Sequence, residues 1–342
     1  MLYNTPKILF KEQTIKALAL FSGGLDSMIS IKLLTDQGIE VTALHIDMGF
    51  GGTKDNSALL KSRAAMVGAD LLVVNTREQF IQEILFAPKY GYGKHFNPCI
   101  DCHANMFRIA LALLEEHNAS FIITGEVIGQ RPMSQRSEAI KNVTKLANQE
   151  EDGLILRPMS AKLMAPTTPE IKGWVDREKL LGIEGRSREV QLRLAKEWGF
   201  EEYESPGGGC LLTEASMATK IRDVIEHGDF EVADIDLLKY GRHFRLPDGA
   251  KLVMGRNKED NENLQKISHP DYDFARTVGV VGGLSLLSKN ASRGDKELAG
   301  KLMLAYTKAP KEKLGTIMIG EESLEVMPLA DKKSAQKYFV LQ

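Results

Sequence analysis

The sequence predicts an α/β protein: a parallel sheet first, then a helical extension, then a small α+β domain. Three observations carry that prediction. A short apolar run at residues 17–20 passes through a glycine pair into an apolar helical run at 28–34. A second strand-like segment at 40–48 follows, so strand, helix and strand make a βαβ unit, which requires parallel pairing and a right-handed crossover. Strand-like and helix-like runs then keep alternating, which is the pattern of a sheet covered by helices. Pro166 and Pro169 mark a bend, and the composition changes again near residue 236. The expected domains are 1–165, 166–235 and 236–342.

The strand at 17–20 delivers Phe21-Ser22-Gly23-Gly24-Leu25-Asp26-Ser27 to the start of the first helix. Glycines at such a turn let the backbone approach a ligand closely. Unpaired helix N–H groups and the helix dipole favour an anion there. Ser22, Gly23, Gly24 and Ser27 are therefore candidates for holding phosphates, and Asp26 for holding a magnesium ion that bridges them. No Gly-Lys-Ser/Thr follows, so the loop is not a Walker loop, and the third glycine of a dinucleotide fingerprint is missing.

The second strand ends at Asp47 and Met48. Open α/β sheets bind ligands beyond the carboxyl ends of their strands, so both are candidates for nucleotide contact; Asp47 is read equally as a turn or cap acid. Residues 57–67 read as a helix, 69–74 as a third strand and 79–86 as a short helix. A loop with Tyr90, Tyr92, Lys94 and Phe96 combines aromatic and basic groups. Cys99 and Cys102 then stand three apart at the opening of a helix expected over 104–114. There they face one point and thiolates are favoured. By itself the pair is a zinc half-site or a redox couple.

Residues 121–124 read as a fourth strand. Gly125 after it allows close backbone approach, and Gln130 offers neutral hydrogen bonds. Residues 137–147 read as a helix and 154–159 as the last strand, with Arg157 placed for phosphate or adenylate contact. From about 167 to 235 the chain reads as helical and polar. Arg186 and Arg188 flank a turn there and are candidate RNA-backbone contacts, against the alternative of an ion-paired helix surface. Ser205-Pro206-Gly207-Gly208-Gly209 runs into Cys210. In the tail, two strands joined by Pro247-Asp248-Gly249 form a hairpin. A helix at 258–267 and β-like runs at 278–281, 301–306 and 324–327 follow.

Composition narrows the class. The 342 residues carry 44 Lys and Arg against 46 Asp and Glu, a net charge of -2, so any nucleic-acid contact must come from a local patch. No apolar run is long enough to cross a membrane. Lys7, Lys11 and Glu12 interrupt any signal-peptide pattern, and a cytoplasmic protein is expected. Three cysteines argue for metal or redox chemistry and not for a disulfide framework.

The Ser22-Gly23-Gly24-Leu25-Asp26-Ser27 string resembles the loop of PP-loop ATP-pyrophosphatases, which split ATP into a substrate adenylate and pyrophosphate. Asn97-Pro98-Cys99-Ile100-Asp101-Cys102 resembles PP-loop enzymes that thiolate tRNA uridine, at their catalytic cysteine. The stretch from Thr124-Gly125-Glu126 through Gly129-Gln130 to Ser134-Gln135 is similar to the one lining the nucleotide pocket of 4-thiouridine synthases. The hairpin and the Gly255-Arg256-Asn257 segment resemble the RNA-binding domain of NFACT proteins, which makes Arg242, Arg245, Lys251 and Arg256 candidate RNA contacts.

These resemblances imply an adenine nucleotide alpha hydrolase-like domain using ATP and Mg2+, a tRNA substrate and an external sulfur donor. They also imply catalytic roles for Asp26, Cys99, Cys102 and Cys210. Sulfur handling has two readings. The three cysteines ligate a [4Fe–4S] cluster with one open iron, or one of them carries a persulfide that another resolves. The rival functions are a nitrogen-transfer ligase of the same superfamily and a non-catalytic RNA- or ribosome-associated module switched by ATP.

Overall fold

The computed structural model describes residues 15–53, 56–131, 133–150, 152–203 and 209–340. The described residues form two compact units. The first holds those up to 203, apart from 49–53 and 94–97; these two short segments group with residues 209–340 in the second. The expected extension at 166–235 is thus divided between the units.

The first unit is built on five parallel strands, β1 (Lys16–Leu20), β2 (Glu40–Asp47), β3 (Asp70–Asn75), β4 (Phe121–Thr124) and β5 (Ile155–Leu156). Their order is β3-β2-β1-β4-β5. β1 lies at the centre, with Leu20 in register with Leu44 on one side and Thr124 on the other. The chain builds outward from β1 in one direction, then returns and builds outward in the other. That reversal leaves a crevice beyond the carboxyl ends of β1 and β4.

Helices cover both faces. α1 (Leu25–Thr35), α2 (Ser57–Met66) and, later in the chain, the helix Glu189–Glu197 lie over one face, joined there by Trp174 and Leu180. Between α2 and β4 come α3 (Arg77–Phe80), which runs on into a π-turn at Ile81–Leu85, and α4 (Cys99–Ala112). α4 and α5 (Ser137–Leu146) cover the opposite face through Phe107, Ala110 and Val143. α6 (Thr168–Ile171) and α7, the Glu189–Glu197 helix, complete the unit. Phe121, Ile122 and Ile123 of β4 are fully buried, each contributing about 1.5–3 kcal/mol of apolar burial. α4 starts at Cys99, earlier than the expected 104, which puts both cysteines inside its first turn.

The second unit is a six-stranded antiparallel sheet in the order β11-β10-β8-β9-β7-β6. Its strands are β6 (Arg242–Arg245), β7 (Lys251–Met254), β8 (Tyr272–Thr277), β9 (Ser285–Ser288), β10 (Gly315–Ile319) and β11 (Glu322–Val326). α8 (Ala215–Ile225) and α9 (Val232–Leu237) precede the sheet; α10 (Lys258–Gln265) and α11 (Arg293–Ala305) lie between its strands in sequence. α11 packs on one face through Leu302, Met303 and Leu304. Leu237 and Leu264 pack on the other.

The expected hairpin is present: Leu246 N–H donates to the Ala250 carbonyl at 2.8 Å, and Gly249 takes φ +97° in the turn. Two tail expectations are corrected. Residues 301–306 are the end of α11, not a strand. Residues 278–281 form an exposed connection after β8, with Val281 95% exposed.

One ionic group fastens α8 to the hairpin. Asp223 accepts hydrogen bonds from Arg245 Nη2 at 2.7 Å and Nε at 2.9 Å, and from Lys251 Nζ at 2.8 Å. Arg245, Lys251 and the thiol-bearing turn at Cys210 therefore belong to one unit. No helix among the described residues is long and apolar enough to cross a membrane.

Candidate active site

The loop after β1 has the form an anion cradle requires. Gly23 takes φ +75°, a conformation that L side chains rarely adopt. Its carbonyl accepts from Arg63 Nη1 at 3.1 Å, which ties the loop to α2. Gly24 is the N-cap of α1, and its carbonyl accepts from Ser27 Oγ at 2.8 Å. The first-turn N–H groups of α1 therefore point out of the crevice end of the sheet.

Gly125, at the end of β4, lies directly against this turn. A Cβ on Gly125 would sit 2.7 Å from Ser27 N and 2.8 Å from Asp26 C. Only glycine permits that approach, so the end of β4 and the first turn of α1 meet backbone to backbone.

Asp26 is held from both sides. Gln130 Nε2 donates to Asp26 Oδ2 at 2.6 Å, and Arg188 Nη2 lies 3.3 Å from Oδ1. Gln191 Nε2 donates in turn to Gln130 Oε1 at 3.0 Å. Arg188 gets there because residues 184–185 run alongside 128–129: Gly185 N–H donates to the Ile128 carbonyl at 2.7 Å. The arginine expected on RNA thus sits at Asp26, beside the loop after β1, while Arg186 is exposed. Among the described residues, buried Arg188 Nε and Arg157 Nη2 have no hydrogen-bond partner. Such orphaned cationic donors suit an anionic ligand. Asp47, at the end of β2, accepts from Arg77 Nε at 3.0 Å.

A second constellation starts one residue after Gly125. Glu126 is buried and makes an ion pair with Arg157 Nε at 2.8 Å and with His103 Nδ1 at 2.9 Å. Burial works against its charge, but Arg157 and then His103 outweigh it and hold the carboxyl below its usual range. His103 is four residues after Cys99 on α4, hence on the same face. Burial opposes its protonation, yet its pairing with Cys99 and Glu126 raises its pKa to about 10. For Cys99, burial favours the neutral thiol. The hydrogen bond and charge of His103 overcome this, helped by Ser134 and Arg131, and the thiol is pulled below its ordinary value. The result is a thiol of lowered pKa beside a protonated imidazole braced by a carboxylate and an arginine, the arrangement that activates a sulfur nucleophile.

Cys102 Sγ lies 3.4 Å from Met48 Sδ. Cys210 opens a 3₁₀ turn, Leu211–Thr213, and its carbonyl accepts from Thr213 Oγ1 at 2.7 Å. The preceding Ser205, Pro206, Gly207 and Gly208 lie outside the described residues. All three cysteines are half-buried thiols. Among the described residues, no three His, Cys, Asp or Glu side chains are grouped to hold a metal ion. The local donor set around Cys99 is an imidazole and a hydroxyl. It fits an activated thiol.

The candidate RNA residues separate. Lys251 is 1% exposed and paired with Asp223, so it is a buried structural cation and not a surface contact. Arg245 is committed to the same carboxylate, and Arg256 pairs with Asp260 at 2.6 Å. Arg242 rests on the Tyr306 ring, 4.9 Å from its centroid. Sequence reasoning assigned no role to His103, Arg63 or Gln191, and placed Glu126 only within the pocket-lining stretch. Only His103 carried a local signal, its i+4 spacing from Cys99.

Comparison with known proteins agrees with this division. Residues 13–162 match the family described as thiamine biosynthesis protein (ThiI). Residues 241–339 match the NFACT protein RNA binding domain. A tRNA-specific 2-thiouridylase, MnmA 2, from Fusobacterium nucleatum is 30% identical over 275 residues, covering 78% of this chain and 75% of that protein. The MnmA of Helicobacter hepaticus is 28% identical over 143 residues, 40% of each chain. A solved 4-thiouridine synthetase–RNA complex with bound ATP aligns at 21% identity and a TM-score of 0.38, over 66% of this chain and 52% of that one. From the loop after β1, the crevice at the β1–β4 reversal, the two matched family regions and the Fusobacterium relative, the chain belongs to the PP-loop ATP-pyrophosphatase family, in its tRNA-uridine-thiolase branch, with an NFACT-type RNA-binding domain following.

Proposed function

We propose that the protein thiolates a uridine of tRNA in two ATP-dependent steps. A carbonyl oxygen of the base attacks the α-phosphorus of ATP, releasing pyrophosphate and leaving an O-adenylate. Sulfur then attacks the activated carbon and AMP departs, giving the thiocarbonyl. Activation comes first because the carbonyl oxygen is a poor leaving group. The α1 turn, with Ser22, Gly23, Gly24 and Ser27, cradles phosphate oxygens. The orphaned donors on Arg157 and Arg188 answer further negative charge. Asp26 is the residue to hold Mg2+, exchanging its contact with Arg188 for the ion, which would neutralise charge on the pyrophosphate. Asp47 and Met48, at the end of β2, and Gln130 complete the nucleotide contacts.

The observation that carries this reading is the junction at Gly125 and Glu126. One residue closes the nucleotide loop, and the next braces the imidazolium beside Cys99. A thiolate held in this way is suited to receive a persulfide from an external donor. Its terminal sulfur attacks the adenylated carbon, and Cys102 or Cys210 then attacks the Cys99 sulfur. This releases the thiocarbonyl and leaves a disulfide, which an external dithiol must reduce. The cluster route would instead use Cys99, Cys102 and Cys210 as ligands, with sulfide as the donor; an anaerobically purified brown protein would favour it. A nitrogen-transfer ligase has no use for the Cys99–His103 pair.

The test is nucleoside mass spectrometry of tRNA incubated with protein and ATP, with either a persulfide donor or sulfide. A thiouridine that is lost in Cys99→Ser supports the reading. Pyrophosphate release without any thiolated nucleoside, from either donor, excludes it.

A further inference from the structure

Three of the four basic residues singled out on the hairpin are neutralised by carboxylates, so the RNA surface of the second unit has to be found elsewhere. The C-terminal segment supplies it. Lys333–Tyr338 forms a 3₁₀ turn, and the chain after it pairs with β6: Phe244 and Phe339 form an isolated antiparallel bridge, and Val340 N–H donates to the His243 carbonyl at 3.0 Å. The rings of Phe244 and Phe339 stack at 4.6 Å, and Tyr306 of the α11 end meets Phe244 edge-on at 6.3 Å.

This docking collects cations on aromatic rings. Arg242 Cζ lies 4.9 Å and Lys332 Nζ 5.3 Å from the centroid of Tyr306, and Lys337 Nζ lies 4.8 Å from that of Tyr338. Lys332, Lys333 and Lys337 are exposed. Among the described residues, none of Arg242, Lys332 and Lys337 has a carboxylate within salt-bridge reach. The nearby Asp331 carboxylate is occupied in capping Ser334. Elsewhere in this unit the exposed cations Lys258 and Arg293 face Glu262 and Glu297 one turn away.

We propose that Arg242, Lys332 and Lys337, seated on Tyr306 and Tyr338, form the surface of the C-terminal unit that binds the sugar–phosphate backbone of RNA. Unneutralised cations bind phosphate by releasing condensed counterions. The tyrosine rings hold the cationic side chains in place at the surface. This assignment rests on the reading that the substrate is RNA.

The experiment measures binding of full-length protein to a tRNA transcript at several salt concentrations. Each phosphate contact releasing about 0.7 counterion is worth about fivefold at about 0.1 M salt. The triple variant Arg242→Gln/Lys332→Gln/Lys337→Gln should therefore bind about 100-fold more weakly, with a salt slope shallower by about 2. The surface double Lys332→Gln/Lys337→Gln, which leaves β6 untouched, should lose about 25-fold. The Lys258→Gln/Arg293→Gln control should bind like the parent, and all variants should keep the parent's ATP affinity. Unchanged affinity and slope in the double and triple variants, with a parent that binds tRNA, overturns this surface alone. A parent that binds no tRNA, or that binds phosphatidylserine vesicles in preference, overturns the RNA reading with it.

Discussion

Replacing Glu126 with Gln tests whether the buried ion pair organises the thiol site. The Glu126 and Arg157 side chains are each 3% exposed. Glutamine preserves volume, so no cavity forms, but the arginine is left as a buried charge without a counter-charge. Breaking such a pair costs about 3–5 kcal/mol. The lower end is expected here, because the amide oxygen can still accept one hydrogen bond. For a unit of this size, about 3 kcal/mol corresponds to a fall of roughly 6–12 °C in Tm.

The readout is built in. Both tryptophans, Trp174 and Trp198, lie in the first unit, with Trp174 against Phe121 and Trp198 against Phe200. Urea unfolding followed by tryptophan fluorescence therefore reports that unit. The double variant Glu126→Met/Arg157→Met removes both charges and should recover most of the loss, since replacing a buried pair by apolar groups is close to neutral. A single variant that loses less than about 1 kcal/mol, or a double variant as unstable as the single, would refute the argument.

Two further outcomes follow from the same geometry. Gly125→Ala forces a Cβ to 2.7–2.9 Å from the backbone of Asp26 and Ser27; a cost of about 1–3 kcal/mol is expected, together with weaker ATP binding by calorimetry, and unaltered ATP affinity would separate β4 from the nucleotide loop. His103 keeps its proton up to about pH 10. Its raised pKa contributes stability that is complete below its unfolded value near 6.5 and is lost as pH rises through about 10. Alkylation of Cys99 should accordingly remain fast at neutral pH, whereas in His103→Gln its onset should move to the alkaline side; identical pH profiles would remove His103 from the activation of Cys99.

The parts of the site carried by contiguous residues were legible in the sequence. Ser22 to Ser27 announce their loop because glycine freedom and a helix start are local properties. Cys99 and Cys102 share a helical turn for the same reason. The partners of Asp26 were not legible: Arg188 reaches it across 162 positions of chain, through a backbone pairing at residue 128 that no periodicity reveals. In the tail, residues 301–306 read as a strand because a short apolar run looks the same in a buried helix. The better signal lay upstream, where Ser292 caps α11 by accepting from Asp295 N–H at 3.0 Å. Lys251 was misassigned because sequence cannot show that a carboxylate on α8 waits for it inside.

That carboxylate decides where the chain can be cut. The matched RNA-binding region begins at residue 241, and a fragment started there would discard Asp223 while retaining Arg245 and Lys251, the two cations paired with it. A fragment beginning at residue 209 keeps the anion and, with it, Cys210. Trimming to the homology border would thus strip two cations of their shared carboxylate and hide the fact that a sulfur atom travels with the second unit.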